Sequence, residues 1–358
     1  MGIQQSAVSL VGNYLVSAGG ATRYTKDVVK HYPGVFGGAS QGCTSYTFAL
    51  DVRQDAGHWT RIADMPGPCR ETGMAVTIDD TMYVFGGFSH SEPYAFRDGY
   101  RLRRRGPEWV WDKLPVELPW PIAEAGIAVI GRRIYLVGGA DFYAEAGAKP
   151  DFFTDRSRTG EPVGTSLLVL DTADLGSGWR QLAPLPGTSR FDQALAAVGN
   201  RLYSLGGINR GRDVQPMLYR NVVDCWQYEI DRDTWSRMPD SPAFANASAV
   251  GWQHYVIVLG GFRYGETLLL DGRRLEIYTA EEKKLEGEKD YGSFVQRSVF
   301  VFDIRNQRWG RADVLPEQAS LPMTAVSGDR IFVLGGEGGR LWHSDTLQIG
   351  AIEERAGR

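Results

Sequence analysis

The sequence predicts an all-β fold, a six-bladed β-propeller in which each blade is a sheet of four antiparallel strands. Six short apolar strands end in a Gly-Gly pair, whose first glycine stands at positions 19, 86, 138, 206, 260 and 335. Five of these pairs are preceded, 25 to 27 residues earlier, by a tryptophan that closes another strand: Trp59, Trp111, Trp179, Trp235 and Trp309. Four strands at this repeat length are typical of propeller blades, which stack because one sheet cannot bury both of its faces.

Each repeat contains the same elements in the same order. An inner strand such as 73–78 is followed by a tight turn, Asp79-Asp80, and then by the Gly-Gly strand. A loop leads to a third strand, such as 298–304, and to the tryptophan strand. The segment from Gly-Gly to the next tryptophan varies from 25 to 49 residues, and the longest insertions are 21–41, 140–165 and 262–297. These loops share one face of the disc, and variable loops on a rigid scaffold commonly carry binding residues.

The whole chain, 1–358, is predicted to form this single propeller, with a last blade that is incomplete at the termini. That blade has a Gly-Gly pair and a third strand near 345–352, but no tryptophan strand follows. Either residues from an N-terminal segment or residues 351–358 are expected to supply its fourth strand.

Composition and charge exclude several classes of protein. The net charge of -4 argues against nucleic acid as a partner, since phosphate binding needs a basic excess. No run of 18 apolar residues predicts a membrane span, and no signal peptide is visible at the start. Three cysteines without a CxxC motif favour reduced thiols. A cytoplasmic location is therefore expected, or a periplasmic or secreted one if an N-terminal segment precedes Met1.

Charged side chains are predicted to surround one mouth of the central channel. Counting 14 residues back from each first glycine gives Gln5, Glu124, Asp192, Asn246 and Leu321, with Glu71 in the second blade, where we expect a longer turn. Within three residues after the Gly-Gly pairs stand Arg23, His90, Asp141, Asn209, Arg263 and Glu337, and Arg70, Arg190, Arg210, Arg212, Arg220 and Arg340 lie near them in sequence. Carboxylates can move protons and arginines bind carboxylates, so this mixture suits a polar, anionic small molecule. The alternative is that these charges pair with one another between blades.

The sequence predicts neither a metal site nor a cofactor. Its five histidines form no HxxxH or HxH pair. The GxSxG motif of hydrolases and the GxGxxG motif of dinucleotide-binding folds are both missing.

The repeat resembles the kelch family along its whole length, through the Gly-Gly pairs, the Asp-ended third strands and the tryptophan strands. Within that family it is most similar to the bacterial N-acetylneuraminate epimerases, or sialic acid mutarotases. The turn 65–71 (MPGPCRE), Gly336-Glu337 in the last blade and Arg220 carry this resemblance. One position departs from it: the family has a glutamate after the fourth Gly-Gly pair, where this chain has Ile208.

The resemblance implies a mutarotase that acts on the anomeric centre of sialic acid or a related acidic sugar by general acid–base catalysis. We expect Glu337 and Glu124 as acid or base groups and Arg220 to stabilise charge. The expected substrate-binding residues are Arg23, Arg70, Glu71, Arg190, Asp192, Asn209, Asn246 and Arg263. The alternatives are a protein-interaction module without catalysis and another cofactor-free carbohydrate-active enzyme.

Overall fold

The computed structural model describes residues 5–23, 41–54, 57–144, 150–155, 157–210, 220–264, 266–268, 274–276, 287–289, 293–336 and 346–353. These residues form six antiparallel sheets arranged around one axis, which confirms the predicted six-bladed propeller. Within the same ranges, regular helix is limited to three short 3-10 turns, Val163–Thr165, Leu175–Ser177 and Ile230–Arg232. None of the helices described here has the length and apolar character that crossing a membrane requires.

Each blade runs from an inner strand at the axis to an outer strand at the rim. Blades 1 to 3 comprise Ala7–Val11, Tyr14–Ala18, Thr47–Asp51 and Thr60–Arg61; Met74–Ile78, Thr81–Phe85, Gly99–Arg105 and Glu108–Lys113; and Gly126–Ile130, Arg133–Val137, Leu167–Asp171 and Arg180–Gln181. Blades 4 to 6 comprise Ala194–Val198, Arg201–Leu205, Cys225–Glu229 and Thr234–Met238; Ser248–Trp252, Tyr255–Leu259, Ser298–Asp303 and Arg308–Val314; and Met323–Ser327, Arg330–Leu334 and Leu347–Ala351. Blade 6 therefore has three strands within the described residues.

The inner hairpin of every blade turns in two residues. In blade 2 these are Asp79 and Asp80, whose φ angles of 47° and 56° belong to the tight turn that matches the twist of a β-hairpin. The expectation of a longer turn in this blade is wrong, because the two strands and the turn of its inner hairpin have the same lengths as those of blade 3.

The Gly-Gly pairs fasten each blade to the next. The N–H group of the second glycine donates to a backbone carbonyl of the following blade, as from Gly20 to Arg70 (2.8 Å) and from Gly207 to Phe244 (2.9 Å). At Gly207 a Cβ atom would lie 2.8 Å from a carbonyl oxygen, and φ is +103°, so only glycine fits there. The motif that defines the repeat is thus the joint between neighbouring blades.

A separate apolar core fills each interface between neighbouring blades. The core between blades 1 and 6 contains Leu15 and Leu50 from the first blade and Phe332 and Leu334 from the last. This packing closes the ring. Because every face of every sheet is covered by a neighbour, the inner strands are held rigidly around the axis.

The loops after the Gly-Gly pairs form small additional sheets on one face. In blade 1, Ala21–Arg23 pairs with Gln41–Cys43, and in blade 3, Asp141–Tyr143 pairs with Asp151–Phe153. The loops of blades 4 and 5 share one sheet, in which Arg220–Val222 lies parallel to Glu266–Leu268. Phe262–Tyr264 pairs with Ser293–Val295, which also pairs with Gly287–Lys289.

Two of the three cysteines are joined on the same face. Cys43 and Cys69 form a disulfide, with 5.5 Å between their Cα atoms, whereas Cys225 is a buried free thiol. The expectation of three reduced thiols is therefore wrong. The hydrogen bond from Gly20 to Arg70 brings the loop of blade 1 beside the start of blade 2. Because Cys43 and Cys69 are 26 residues apart in the sequence, this proximity could not be predicted from their spacing.

Candidate functional site

Six residues with left-handed backbone conformation encircle the axis at the start of the inner strands. We call them the axial ring: Gln5, Thr72, Glu124, Asp192, Asn246 and Leu321, with φ between 49° and 57°. Five of them are the residues found by counting back from Gly-Gly. In blade 2 the ring residue is Thr72 and not Glu71, and an unaltered count of 14 residues would have found it.

The backbone itself builds most of this ring. The N–H group of a ring residue donates to the carbonyl of the ring residue in the preceding blade, at 2.9 Å from Asp192 to Glu124 and from Asn246 to Asp192. The same bond runs from Leu321 to Asn246 (3.0 Å) and from Thr72 to Gln5 (2.6 Å). The positions of the ring side chains are therefore set by main-chain bonds, which preorganises the groups they carry.

The ring residues line a cavity of about 250 Å³ on the propeller axis. Gln5 Nε2 donates to Glu124 Oε1 at 3.4 Å, a contact between blades 1 and 3 that spans part of the channel. The Oγ1 atom of Thr72 and the Oδ1 atom of Asn246 are buried and have no hydrogen-bond partner among the described residues. A narrow cavity with two carboxylates and such polar atoms suits a hydroxylated ligand.

Arg70 and Arg190 are buried inside the blades and paired within the chain. Arg70 is 1% exposed, and its Nη1 and Nη2 atoms lie 2.7 and 3.1 Å from the carboxylate of Asp98. Arg190 is fully buried, pairs with the Asp224 carboxylate and also donates to the Gly206 carbonyl (3.2 Å). Both guanidinium groups hold a Gly-Gly strand to the third strand of the same blade, which is the charge-pairing alternative considered above.

Another set of arginines lies at the mouth, in the loops of blades 4 and 5. Arg220 is 4% exposed and faces Asn209 in strand pairing, while Arg263 is 5% exposed in the neighbouring loop strand. Arg210 pairs with the Asp151 carboxylate of the blade 3 loop. The Nδ2 atom of Asn209 donates to the Ser189 carbonyl at 2.8 Å. The loops of blades 4 and 5 thus place three arginines on the face where the axial ring opens.

The remaining predicted positions divide as follows. Arg23 ends a described loop strand, and Glu337 lies outside the described residues, as do Arg212 and Arg340. Ile208 is 1% exposed in an apolar cluster with Phe191 and Phe262, so its side chain belongs to the packing beneath the loops. No group of three or more histidine, cysteine or acidic residues within the described ranges could hold a metal ion.

Comparison with known proteins agrees with this architecture. A family model described as the KLHDC2/KLHL20/DRC7 Kelch-repeats domain matches residues 23–261. The chain belongs to the Kelch-repeat family. The structure of this Kelch propeller is also similar to a solved one described as "Structure of YjhT", with a TM-score of 0.66, 14% identity, and coverage of 98% of this chain and 95% of that one.

Curated relatives of this Kelch propeller carry an enzyme name. It is 24% identical over 315 residues to the N-acetylneuraminate epimerase of Haemophilus influenzae, covering 81% of this chain and 79% of the relative. It is 20% identical over 333 residues to the N-acetylneuraminate epimerase of Salmonella typhi, covering 85% and 81% of the two chains. The alignments span more than four-fifths of this chain, so the likeness extends beyond single repeats.

Proposed function

We propose that this Kelch propeller is a mutarotase that interconverts the anomers of N-acetylneuraminate or a related acidic sugar by general acid–base catalysis. The observation that carries the proposal is the axial ring, which places Glu124 and Asp192 in neighbouring blades around one small cavity. The names of the relatives support the choice of sugar.

The size of the cavity favours a small ligand. Its volume of about 250 Å³ lies just below the ~300–1000 Å³ range of small-molecule pockets. One monosaccharide fits this scale, with part of it remaining among the loops at the mouth. A docked protein would instead need a broad interface, typically of about 800 Å² on each partner.

The charge of the mouth favours an anionic sugar. The Arg220 and Arg263 guanidinium groups lie on the loops of blades 4 and 5, where a planar guanidinium can bind a carboxylate through two parallel hydrogen bonds. We assign them to the substrate carboxylate, with Arg23 as a further candidate and Asn209 and Asn246 as partners for hydroxyl groups. Arg70 and Arg190 are left out because they lie inside the blades, where they link a Gly-Gly strand to the third strand of the same blade.

The reaction needs one base and one acid. A carboxylate, which we assign to Glu124, takes the proton of the anomeric hydroxyl while the bond from the anomeric carbon to the ring oxygen breaks. An acid gives its proton to that oxygen, and the open-chain ketone forms. The ketone turns its other face to the regenerated hydroxyl and closes to the second anomer, which returns both protons. Asp192 and Glu337 are the other carboxylates available for these steps.

Time-resolved proton NMR of freshly dissolved crystalline N-acetylneuraminate tests the proposal. We expect the protein to accelerate anomer equilibration for this sugar and not for neutral aldoses. Glu124→Gln should slow the catalysed rate by about 100-fold, within the range that one acid or base group contributes. Glu108→Gln, at an exposed position of the blade 2 outer strand, is the matched control and should retain the wild-type rate. Equal rates with and without the protein would refute the proposal and favour a protein-interaction module.

A further inference from the structure

Blade 2 buries a carboxylate that its fold does not require. The side chain of Glu71 is 2% exposed, and its Oε1 atom has no partner with hydrogen-bond geometry among the described residues. Its backbone is fully used, because its N–H and C=O groups exchange hydrogen bonds with Phe88 at 2.8 and 3.0 Å. The carboxylate therefore stays in place while keeping one oxygen available.

The same backbone bridge in other blades has no acidic residue. Ala123, Phe191 and Ala245 occupy the position of Glu71 in blades 3, 4 and 5. Burying a carboxylate costs several kcal/mol of desolvation free energy, which a partner must offset. A costly group at a position where alanine suffices elsewhere indicates a function rather than a structural need.

A histidine two residues after Phe88, the bridge partner of Glu71, lies beside this carboxylate. The Nε2 atom of His90 is 3.4 Å from Oε1 of Glu71, and the His90 side chain is 59% exposed on the loop face. Its ring contacts the edges of Phe88 and Phe142, with centroids 5.5 and 5.9 Å apart, which fixes its orientation. One face of the imidazole is thus held by the protein while the other side remains accessible to a ligand.

The surroundings favour the charged form of this histidine. The Glu71 carboxylate raises the pKa of His90 above its ordinary value, against the effect of partial burial. The other charged groups near it are Glu92, which is exposed on the same loop, and Asp141, whose carboxylate is bound by Arg158 (2.8 Å) on the neighbouring loop. Asp141 is already neutralised in this pair, so Glu71 is the main influence.

We infer that Glu71 and His90 form the acid half of the catalytic machinery, with His90 as the catalytic residue and Glu71 as its positioning residue. This inference rests on the proposed mutarotase function. Glu71 directly precedes Thr72 of the axial ring, which lines the same cavity as Glu124.

The proton path is complete with these residues. The imidazolium of His90 directs Nε2–H at Glu71 and gives the proton on Nδ1 to the ring oxygen of the sugar as its bond to the anomeric carbon breaks. The Glu124 carboxylate receives the proton of the anomeric hydroxyl. Ring closure reverses both transfers, so no proton, electron or co-reactant is left over. The long contact of 3.4 Å is expected to tighten when a substrate is bound.

The pH profile of the NMR rate separates catalysis from structure. The acid form of His90 is required, so the wild-type rate should fall as pH rises through its pKa. Glu71→Gln keeps the shape of the side chain but removes its charge, which lowers the pKa of His90, so this fall should move to lower pH. His90→Gln should abolish that limb of the profile and slow the rate by about 100-fold.

Controls make each outcome decisive. His58→Gln, at an exposed position on the outer rim, should behave as wild type, and thermal melts of all variants identify any that fail to fold. Labelled-histidine NMR titration of the folded variants gives the pKa of His90 directly. An active wild type with an unchanged rate and profile in His90→Gln would overturn this inference alone. An inactive wild type would overturn the proposed function together with it.

Discussion

Replacing Arg190 by isoleucine is expected to destabilise blade 4 strongly, because it leaves the buried Asp224 carboxylate without its cation. The guanidinium is the partner of the Asp224 carboxylate, which is only 2% exposed. Burial lowers the pKa of Arg190, and the nearby carboxylate opposes that effect, so the two charges depend on each other. Removing one member of such a pair costs about 3–5 kcal/mol.

Another blade of the same chain has uncharged residues at the positions of this pair. In blade 3 the corresponding residues are Ile122 and Ser166, which are both buried without a charge. The double substitution Arg190→Ile with Asp224→Ser transfers that version to blade 4. The carbonyl of Gly206 then loses a donor and Nε1–H of Trp226 loses its bond to Asp224, a loss of about 1–3 kcal/mol, but no carboxylate stays buried without its cation. The double variant should therefore be more stable than the single one by about 2 kcal/mol.

Urea unfolding followed by tryptophan fluorescence and circular dichroism measures this difference, provided that the variants share one slope. The reasoning is wrong if the double variant is no more stable than Arg190→Ile. Blade 2 provides an internal comparison: Asp98 is 15% exposed, so Arg70→Ile should cost less than Arg190→Ile. The reverse order would also count against burial as the cause.

Two further predictions concern the joints and the thiols. Gly207→Ala should cost about 2–3 kcal/mol by thermal or urea unfolding, because a Cβ atom meets a carbonyl at a positive φ. Gly131→Ala, at an open turn with φ of +59°, should cost only about 1 kcal/mol, and equal losses would contradict this assignment. Thiol titration in denaturant without reductant should count one group, Cys225, and three after reduction; three before reduction would exclude the Cys43–Cys69 bond.

The sequence was sufficient to predict the blades and most of the axial ring. Gly-Gly pairs and tryptophans recur because the joint between blades needs glycine and the outer strands need a large apolar ring, and both requirements act through local sequence. Counting from the glycines located Glu124, Asp192 and Asn246. The error at Glu71 came from assuming a longer turn, although Asp79-Asp80 already forms a complete hairpin.

The roles of the charged side chains could not be predicted in the same way. Arg70 and Arg190 stand beside the mouth in sequence, yet Asp98 and Asp224 bind them inside the blades. Those partners are 28 and 34 residues away, across loops of unrelated length. The proximity of Glu71 and His90 likewise depends on a bridge that local sequence does not encode. Side-chain partners are a property of the assembled ring.

In the axial ring the main chain sets the positions of the residues, and the side chains set which ligand groups the channel can bind. Hydrogen bonds between main-chain atoms hold its members, so the side chains add nothing to those links. The chain already places two amides, a hydroxyl, two acids and the aliphatic Leu321 at equivalent points with φ within 49° to 57°. Such a rim can change its ligand preference through exchange of a few side chains while the blades beneath remain as they are. Leu321 offers the simplest place to begin, since a polar residue there would complete a fully hydrophilic circle around the axis.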